Sequence, residues 1–244
     1  MRILGIIPSR YASSRFPGKP LVNIGGKSMV QRVYEQACAS KSLSDVIVAT
    51  DDERIFNHVI SFGGKALMTS SSHFTGTERC AEVIEKQGDI WDLVINIQGD
   101  EPFINPSQID LLSASFEDTN TGIATLAKRI ENMGELEDAN VVKLVFGKSG
   151  MAIYFSRFPI PFVRNKEMGK ISLENHAFYK HIGLYAYRAE ILKKITRLVP
   201  SELEIAESLE QLRWIENGIG IKVELTDYDS IGIDTPEDLL KIGE

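Results

Sequence analysis

Apolar and polar positions follow two alternating periods along the first hundred residues. Between short apolar runs lie segments in which apolar positions recur every three or four residues, as on one face of a helix. Ser28 fits a helix start, and the pair Gly63-Gly64 fits a helix end. We therefore predict strands at residues 3–8, 46–49, 65–68 and 93–97, and helices at residues 29–38, 52–62 and 77–86.

This alternation predicts a mostly parallel sheet with helices on both faces. Beyond residue 106 the pattern changes, because short strands flank the turn Gly147-Lys148-Ser149-Gly150 as in a hairpin. The fold class expected is α/β, a three-layer Rossmann-like fold with a mostly parallel central sheet and an inserted mixed-strand lobe. In this second half we predict strands at 123–127, 141–146, 151–155, 181–187 and 221–225, and helices at 107–116, 189–196, 205–216 and from Thr235.

Composition narrows the class of protein. The 244 residues are 43% hydrophobic, which is ordinary for a globular protein with a core, and the net charge of -7 disfavours nucleic-acid and membrane-surface binding. Cys38 and Cys80 lie in helical segments and are expected to be buried, reduced thiols. No apolar run reaches membrane-spanning length. We expect a cytoplasmic protein with no nucleic-acid partner and no stable membrane association.

The loop after the first strand concentrates positive charge in an otherwise acidic chain. Arg10, Arg15 and Lys19 stand among small residues and prolines, a composition that suits a polyphosphate. An ordinary solvated surface loop is the alternative. Two common phosphate motifs are absent: Leu21 stands where a Walker A loop needs its first glycine, and no GxGxxG follows the strand.

Two aspartates end apolar runs that lie far apart in the sequence. Asp100 follows residues 93–97, and Asp234 follows residues 231–233. Carboxylates at strand ends, beside a polyphosphate, fit a magnesium site. Each also has a simpler interpretation, since Asp100 fits a surface turn and Asp234 fits a helix N-cap.

Two further groups of residues are candidates for substrate binding. Residues 74–79 form a small-residue turn that opens a helix, where backbone N–H groups and hydroxyls can read a base or ribose, although the turn also fits a plain helix cap. In the second half, His181 is by default a structural histidine. The presence of Arg157 and Gln211 in the same half of the chain suggests an acceptor site for an anionic, polyhydroxylated substrate.

Eight blocks of sequence are spread over essentially the whole chain. They are PSRYASSRFPGKPL at 8–21, VATDD at 48–52, FTGTERCAEV at 74–83, VINIQGDEP at 94–102, YFSRFPIPF at 154–162, KHIGLYAYR at 180–188, LEQLR at 209–213 and GIDTPEDL at 232–239. Several blocks in the same order are more specific than any one motif. Through these blocks the chain resembles the 3-deoxy-D-manno-octulosonate (Kdo) cytidylyltransferase family.

The resemblance implies a nucleotidyltransferase fold and a reaction in which CTP and Kdo give CMP-Kdo and pyrophosphate with Mg2+. It implies that Arg10, Arg15 and Lys19 hold the triphosphate and that Asp100 and Asp234 bind the metal. It also implies substrate contacts from two sets of residues. These are Thr75, Gly76, Thr77 and Arg79 around the cytidine, and Gln98, Arg157, His181, Tyr185, Glu210 and Gln211 around the sugar acid.

The resemblance further implies a cytoplasmic homodimer that serves lipopolysaccharide synthesis. We expect one domain, residues 1–244, with a CTP-binding part at 1–120, a sugar-binding and dimerisation lobe at 121–226, and a C-terminal part at 227–244 that carries Asp234. The alternatives are a cytidylyltransferase for another sugar acid, a non-catalytic nucleotide-sugar binding protein, and a glycosyltransferase. The glycosyltransferase is disfavoured because Pro102 stands where an Asp-x-Asp pair that starts at Asp100 needs its second aspartate.

Overall fold

The computed structural model describes residues 1–12, 16–88, 90–164, 173–229 and 231–241. The chain divides into two compact units. Unit 1 comprises Met1–Ala114, Leu184–Thr196 and Ser230–Glu244, and unit 2 comprises Ser115–Gly183 and Arg197–Asp229.

Unit 1 alternates strands and helices through its first hundred residues, as the hydrophobic pattern predicts. Its strands are β1 (Ile3–Ser9), β2 (Asn23–Ile24), β3 (Lys27–Ser28), β4 (Asp45–Thr50), β5 (Ala66–Met68) and β6 (Leu93–Asn96). Its helices are α1 (Met29–Cys38), α2 (Glu53–Ser61), α3 (Gly76–Gln87), α4 (Pro106–Ala114), α6 (Ala189–Ile195) and α9 (Pro236–Lys241).

The sheet of unit 1 has the strand order β6-β1-β4-β5, and all three neighbouring pairs are parallel. Residues 185–188 pair antiparallel with β6 on its other side. The prediction of an α/β fold with a mostly parallel sheet is therefore confirmed. The chain moves outward from β1 to β4 and β5 and then returns to β6, so the direction of winding reverses between β1 and β6. Ligands of such sheets bind outside the carboxyl ends of the strands at this reversal.

The central strand β1 is apolar because it is buried on both faces. Leu4, Ile6 and Ile7 are fully inaccessible to solvent. A proline is tolerated near the end of this strand because the pairing with β6 stops at Ile6, whereas β4 still runs beside Pro8. A rigid, dry strand thus leads directly into the cationic loop.

Unit 2 contains mixed strand pairs. Parallel β7 and β11 form one pair, and antiparallel β8 and β9 form the predicted hairpin, with β10 antiparallel to β8. The strands are β7 (Ile123–Arg129), β8 (Lys143–Phe146), β9 (Ala152–Ser156), β10 (Tyr179–Arg188) and β11 (Ile221–Leu225); β10 continues into unit 1 after Gly183. The helices are α5 (Met133–Glu137), α7 (Glu202–Glu207) and α8 (Glu210–Glu216).

Three sequence-based expectations are wrong in detail. The single helix expected at 205–216 is two helices, because Ser208 adopts a left-handed conformation with φ 52° and ends α7. Cys38 is exposed, not buried, at the last position of α1. Asp234 does not cap the last helix, since α9 begins at Pro236 and Thr235 directly precedes it.

The sequence analysis also overlooked the β2–β3 hairpin. Its turn residues Gly25 and Gly26 both have positive φ, which glycine adopts without steric cost. Among the helices in the described part of the chain, none has the length and apolar character needed to cross a bilayer.

Candidate active site

A cavity of about 250 Å3 lies in unit 1, where β1 and β6 end. The loops that follow these strands provide its cationic and acidic groups, and the start of α3 provides small polar residues. Of the residues predicted from sequence, eight line this cavity: Arg10, Lys19, Thr75, Gly76, Arg79, Gln98, Asp100 and Asp234. The structure therefore brings together four separate segments of unit 1: residues 8–20, residues 73–79, residues 98–100 and Asp234.

The cationic loop is closed at its base by a backbone hydrogen bond. The Gly18 amide donates to the Tyr11 carbonyl at 3.0 Å. Gly18 has φ 73°, and a side chain there would press on the Tyr11 ring at 3.1 Å, so glycine is required on both counts. Lys19 follows as the first residue of a short 3-10 turn. Arg15 lies outside the described residues.

Lys19 holds the two predicted metal-binding aspartates. Its Nζ lies 2.8 Å from Asp100 Oδ2 and 3.1 Å from Asp234 Oδ1. The Lys19 side chain is 14% exposed, while those of Asp100 and Asp234 are 32% and 47% exposed. The carboxylates thus face the cavity from a partly solvated position, and the single ammonium of Lys19 offsets half of the charge of the ionised pair.

Backbone contacts fix the two aspartates relative to each other. The Ile233 amide donates to the Asp100 carbonyl at 2.9 Å, which ties the two loops together one residue before Asp234. Asp238 Oδ2 accepts from the amides of Asp234 and Thr235, each at 3.0 Å, and so stabilises the start of α9. The Asp234 carboxylate accepts from the Lys19 ammonium at 3.1 Å.

Gly99 allows the loop after β6 to approach the end of β1. A side chain at this position would lie 2.7 Å from the Pro8 carbonyl oxygen, a distance that backbone atoms cannot tolerate. Gly99 thereby places Asp100 beside the cationic loop.

The N-terminus of α3 forms another wall of the cavity. Thr75 is the N-cap, its side chain accepts from the Glu78 amide, and Glu78 reaches back to the Thr75 amide, which completes a capping box. Gly76 opens the helix without a side chain in the cavity. The positive end of the helix dipole and the exposed amides of this first turn favour electronegative ligand groups.

Arg79 and Thr77 are buried on α3. The Arg79 guanidinium donates to Thr69 and lies 3.2 Å from Asp51, so it connects α3 to the ends of β4 and β5. Arg79 still lines the cavity. Thr77 is not among the lining residues.

Sequence reasoning missed His73 and included Phe74 only as part of the turn at 74–79; both residues line the cavity just before the N-cap. His73 Nε2 lies 2.5 Å from Glu82 Oε2. Burial opposes ionisation of Glu82, but hydrogen bonds from Lys86, the Ser70 amide and His73 outweigh it and lower the pKa of Glu82 to about 2. Glu82 is thus an anion that fixes the His73 ring. The signal available in the sequence was position, since both residues immediately precede the capping box.

Arg157, a predicted sugar ligand, contacts the end of α7 within unit 2. Its guanidinium donates to the carbonyl oxygens of Glu207 at 2.7 Å and Ser208 at 3.3 Å. The Glu207 carboxylate in turn accepts from the Arg157 amide at 2.8 Å. Arg157 therefore satisfies helix C-terminal carbonyls that would otherwise lack partners.

The other predicted sugar ligands occupy ordered positions in each unit. In unit 2, His181 Nε2 lies 2.9 Å from Thr125 Oγ1, Glu210 pairs with Arg213 at 3.4 Å, and Gln211 is buried. In unit 1, Tyr185 is buried, stacks on Tyr187, and lies opposite Asn96 in the sheet. Although part of His181 is exposed, desolvation of its ring lowers the pKa of His181 to about 3, so the imidazole is neutral at physiological pH.

The sheet, the cationic loop and the acidic pair define unit 1 as a nucleotide-binding α/β unit of the nucleotidyltransferase class. The cytidylyltransferase family model matches residues 4–224. The chain belongs to this family and, within it, to the 3-deoxy-manno-octulosonate cytidylyltransferases.

The relatives that carry this assignment match nearly end to end. A 3-deoxy-manno-octulosonate cytidylyltransferase of Bacteroides thetaiotaomicron is 57% identical over 98% of this chain and 96% of its own. One from Parabacteroides distasonis is 54% identical over 99% and 96%. Among solved structures, a CMP:2-keto-3-deoxy-manno-octonic acid synthetase complexed with CTP superposes with a TM-score of 0.91 at 42% identity, over 99% of this chain and 97% of that one. The predicted nucleotidyltransferase fold and family are confirmed.

Proposed function

We propose that this enzyme transfers CMP from CTP to the anomeric hydroxyl of Kdo, giving CMP-Kdo and pyrophosphate. The observation that carries the proposal is the cluster of Lys19, Asp100 and Asp234 inside the unit 1 cavity. It combines a phosphate-binding cation with two carboxylates at the place where α/β sheets bind nucleotides. The near full-length identity to named Kdo cytidylyltransferases supports the choice of substrates.

The cationic loop would bind the triphosphate and stabilise the leaving group. Arg10 is exposed and lines the cavity, and Lys19 lines the same cavity. As the sugar hydroxyl attacks the α-phosphorus in line, negative charge develops on the departing pyrophosphate. Fixed cations at that position lower the barrier because they need no reorganisation during the reaction. No covalent intermediate on the protein is required.

Asp100 and Asp234 have the chemistry of a magnesium site. Mg2+ prefers oxygen ligands and commonly takes one or two carboxylates, with phosphate oxygens and waters completing the octahedron. Among the described residues, no cluster of three or more His, Cys, Asp or Glu side chains is placed to hold a metal. When bound, the ion would polarise the α-phosphate toward attack. Asp100 and Asp234 would hold it, and Lys19 would turn to the phosphates.

The base and sugar would use the remaining predicted residues. The start of α3, with Thr75, Gly76 and buried Arg79, is proposed for the cytidine because its polar groups line the same cavity. For the sugar acid we propose Gln98, because it lines the same cavity of unit 1. Sugar contacts from Tyr185, Arg157, His181, Glu210 and Gln211 stay predictions from the resemblance. A neutral His181 can either accept from or donate to a sugar hydroxyl.

Pyrophosphate release by the purified protein tests the proposal. It should require CTP, Kdo and Mg2+ together, and omission of any one should reduce the rate to background. Strong release with a different sugar acid but not with Kdo would replace the substrate assignment. Binding of CTP without any product after long incubation would instead favour a non-catalytic binding protein. A homodimeric assembly, a cytoplasmic location and a role in lipopolysaccharide synthesis stay predictions from the resemblance.

A further inference from the structure

Phe74 is an apolar residue displayed at a polar cavity. It is 87% exposed, although it lines the same cavity as Lys19, Asp100 and Asp234. Within the described residues, its ring makes no aromatic or cation–π contact. An isolated exposed aromatic ring needs no explanation on an ordinary surface, but one that lines a ligand cavity is a candidate contact for a planar ligand group.

The backbone under Phe74 is held in place. Its amide donates to Glu78 Oε2 at 2.8 Å, so Phe74 shares the carboxylate that completes the capping box of α3. A residue at this position before the N-cap often packs on the fourth helical residue and closes a hydrophobic staple. Here the fourth helical residue is Arg79, which is buried and turned toward Thr69 and Asp51. The helix therefore fixes the backbone of Phe74, and the aromatic ring of Phe74 takes no part in the cap.

We propose that the Phe74 ring packs on the cytosine of bound CTP and is a contact that contributes to the affinity of the nucleotide site. This inference rests on the proposed function. The cations of the cavity would bind the triphosphate, and the first turn of α3 offers hydrogen-bonding groups for the polar edge of the base. Neither covers the flat face of a base, and Phe74 is an aromatic side chain at the cavity wall that can do so.

The test separates the base from the phosphates. CTP and inorganic tripolyphosphate are titrated calorimetrically into the unaltered protein, Phe74→Ala and Phe74→Tyr. Removing a base-stacking ring typically weakens nucleotide binding about 5- to 150-fold. We expect Phe74→Ala to lose CTP affinity in this range and to bind tripolyphosphate within twofold of the unaltered protein. Phe74→Tyr, which keeps an aromatic ring, should bind CTP as the unaltered protein does. Ile60→Ala, which truncates a half-exposed apolar residue of α2 outside the cavity lining, should change neither affinity.

Three outcomes would overturn the inference. Unchanged CTP affinity in Phe74→Ala would show that the ring does not contact the base. Equal losses for CTP and tripolyphosphate would assign Phe74 to the shape of the α3 N-terminus. A raised KM for Kdo with unchanged CTP affinity would place the ring at the acceptor. Failure of the proposed function is distinct, because the unaltered protein would then release no pyrophosphate from CTP and Kdo, whatever its affinity for CTP.

Discussion

Lys19 and Asp234 are 215 positions apart in the sequence but 3.1 Å apart in the structure. With Asp100 they form a cluster in which one ammonium contacts two carboxylates and offsets part of their mutual repulsion. Because all three side chains are partly solvated, this pairing contributes little to folding. The cluster is better explained by ligand binding than by stability.

Replacing either aspartate by asparagine should abolish turnover and leave the fold intact. We expect Asp100→Asn and Asp234→Asn each to lower kcat/KM by at least about 100-fold, because the lost charge acts mainly in the transition state. The free energy of unfolding should change by no more than about 1 kcal/mol, as for other partly exposed ion pairs. Pyrophosphate release and urea unfolding measure the two effects.

Asp52→Asn is the matched control for these variants. Asp52 also follows a parallel strand and forms an ion pair, with Arg54 at 2.6 Å, but it does not line the cavity. Its activity should be that of the unaltered protein. Near-normal turnover in Asp100→Asn or Asp234→Asn would exclude that residue from the metal site.

His181 should make the protein less stable as the pH falls below about 6.5. The pKa of His181 is lowered to about 3 in the folded protein, whereas an unfolded chain has the ordinary value near 6.5. Between these values the unfolded state binds one more proton, so the free energy of unfolding falls by about 1.4 kcal/mol per pH unit relative to a variant without the imidazole. Urea unfolding of the unaltered protein and His181→Gln from pH 7 to pH 5 measures the difference.

His176→Gln serves as the control for this pH effect, since His176 is exposed. Parallel curves for His181→Gln and the unaltered protein would contradict a lowered pKa for His181.

At the scale of elements, two helices begin with the same capping box in different chemical settings. Thr75 and Glu78 cap α3 at the cavity, while Ser201 and Glu204 cap α7 in unit 2. Thr75→Ala and Ser201→Ala should each lower the free energy of unfolding by about 1 kcal/mol, because each leaves a helix amide without its side-chain acceptor.

The two cap variants should differ in activity. Thr75→Ala should also raise KM for CTP, since the hydroxyl lies at the cavity, and Ser201→Ala should leave the kinetics unchanged. Urea unfolding and steady-state kinetics at saturating Kdo measure both effects. Equal kinetics for the two variants would show that Thr75 acts only as a helix cap.

Most elements could be predicted from the sequence because hydrophobic period and end signals agreed. Strand β1 and helix α1, for example, carry an unbroken apolar run and a Ser28 N-cap whose side chain accepts from the Gln31 amide. The break between α7 and α8 could not be predicted, because Ser208 is a serine in a conformation typical of glycine. Contacts from Arg157 to the end of α7 accompany this break, and they are tertiary.

For the candidate site, the location could be predicted from the sequence. Residues at the ends of β1 and β6 could be placed together, since parallel strands end at one edge of the sheet. Which partner each side chain takes was not predictable. Arg79 binds Asp51 across 28 positions, and Lys19 bridges both aspartates, as only the folded chain reveals.

At the scale of the whole molecule, we expect a dimer in solution. Unit 2 exposes large apolar side chains that a single chain leaves in water, among them Phe158 at 66% and Phe162 at 80%. Light scattering should give about twice the chain mass of 27.2 kDa. The double variant Phe158→Glu/Phe162→Glu should give the single-chain mass, because association would bury unpaired carboxylates.

Ile60→Glu adds a carboxylate to an exposed position of unit 1 and should leave the dimer intact. A single-chain mass for the unaltered protein at micromolar concentration would contradict the expected assembly.

The discontinuous course of the chain has a consequence for biosynthesis. Asp100 and Asp234 both belong to unit 1, yet every residue of unit 2 is translated between them. A ribosome that stalls anywhere in unit 2 therefore releases a polypeptide with the cationic loop and one carboxylate but without the other. Such a fragment lacks one of the two carboxylates proposed to hold the metal, so we expect the competence to transfer CMP to arise only after both units have been synthesised.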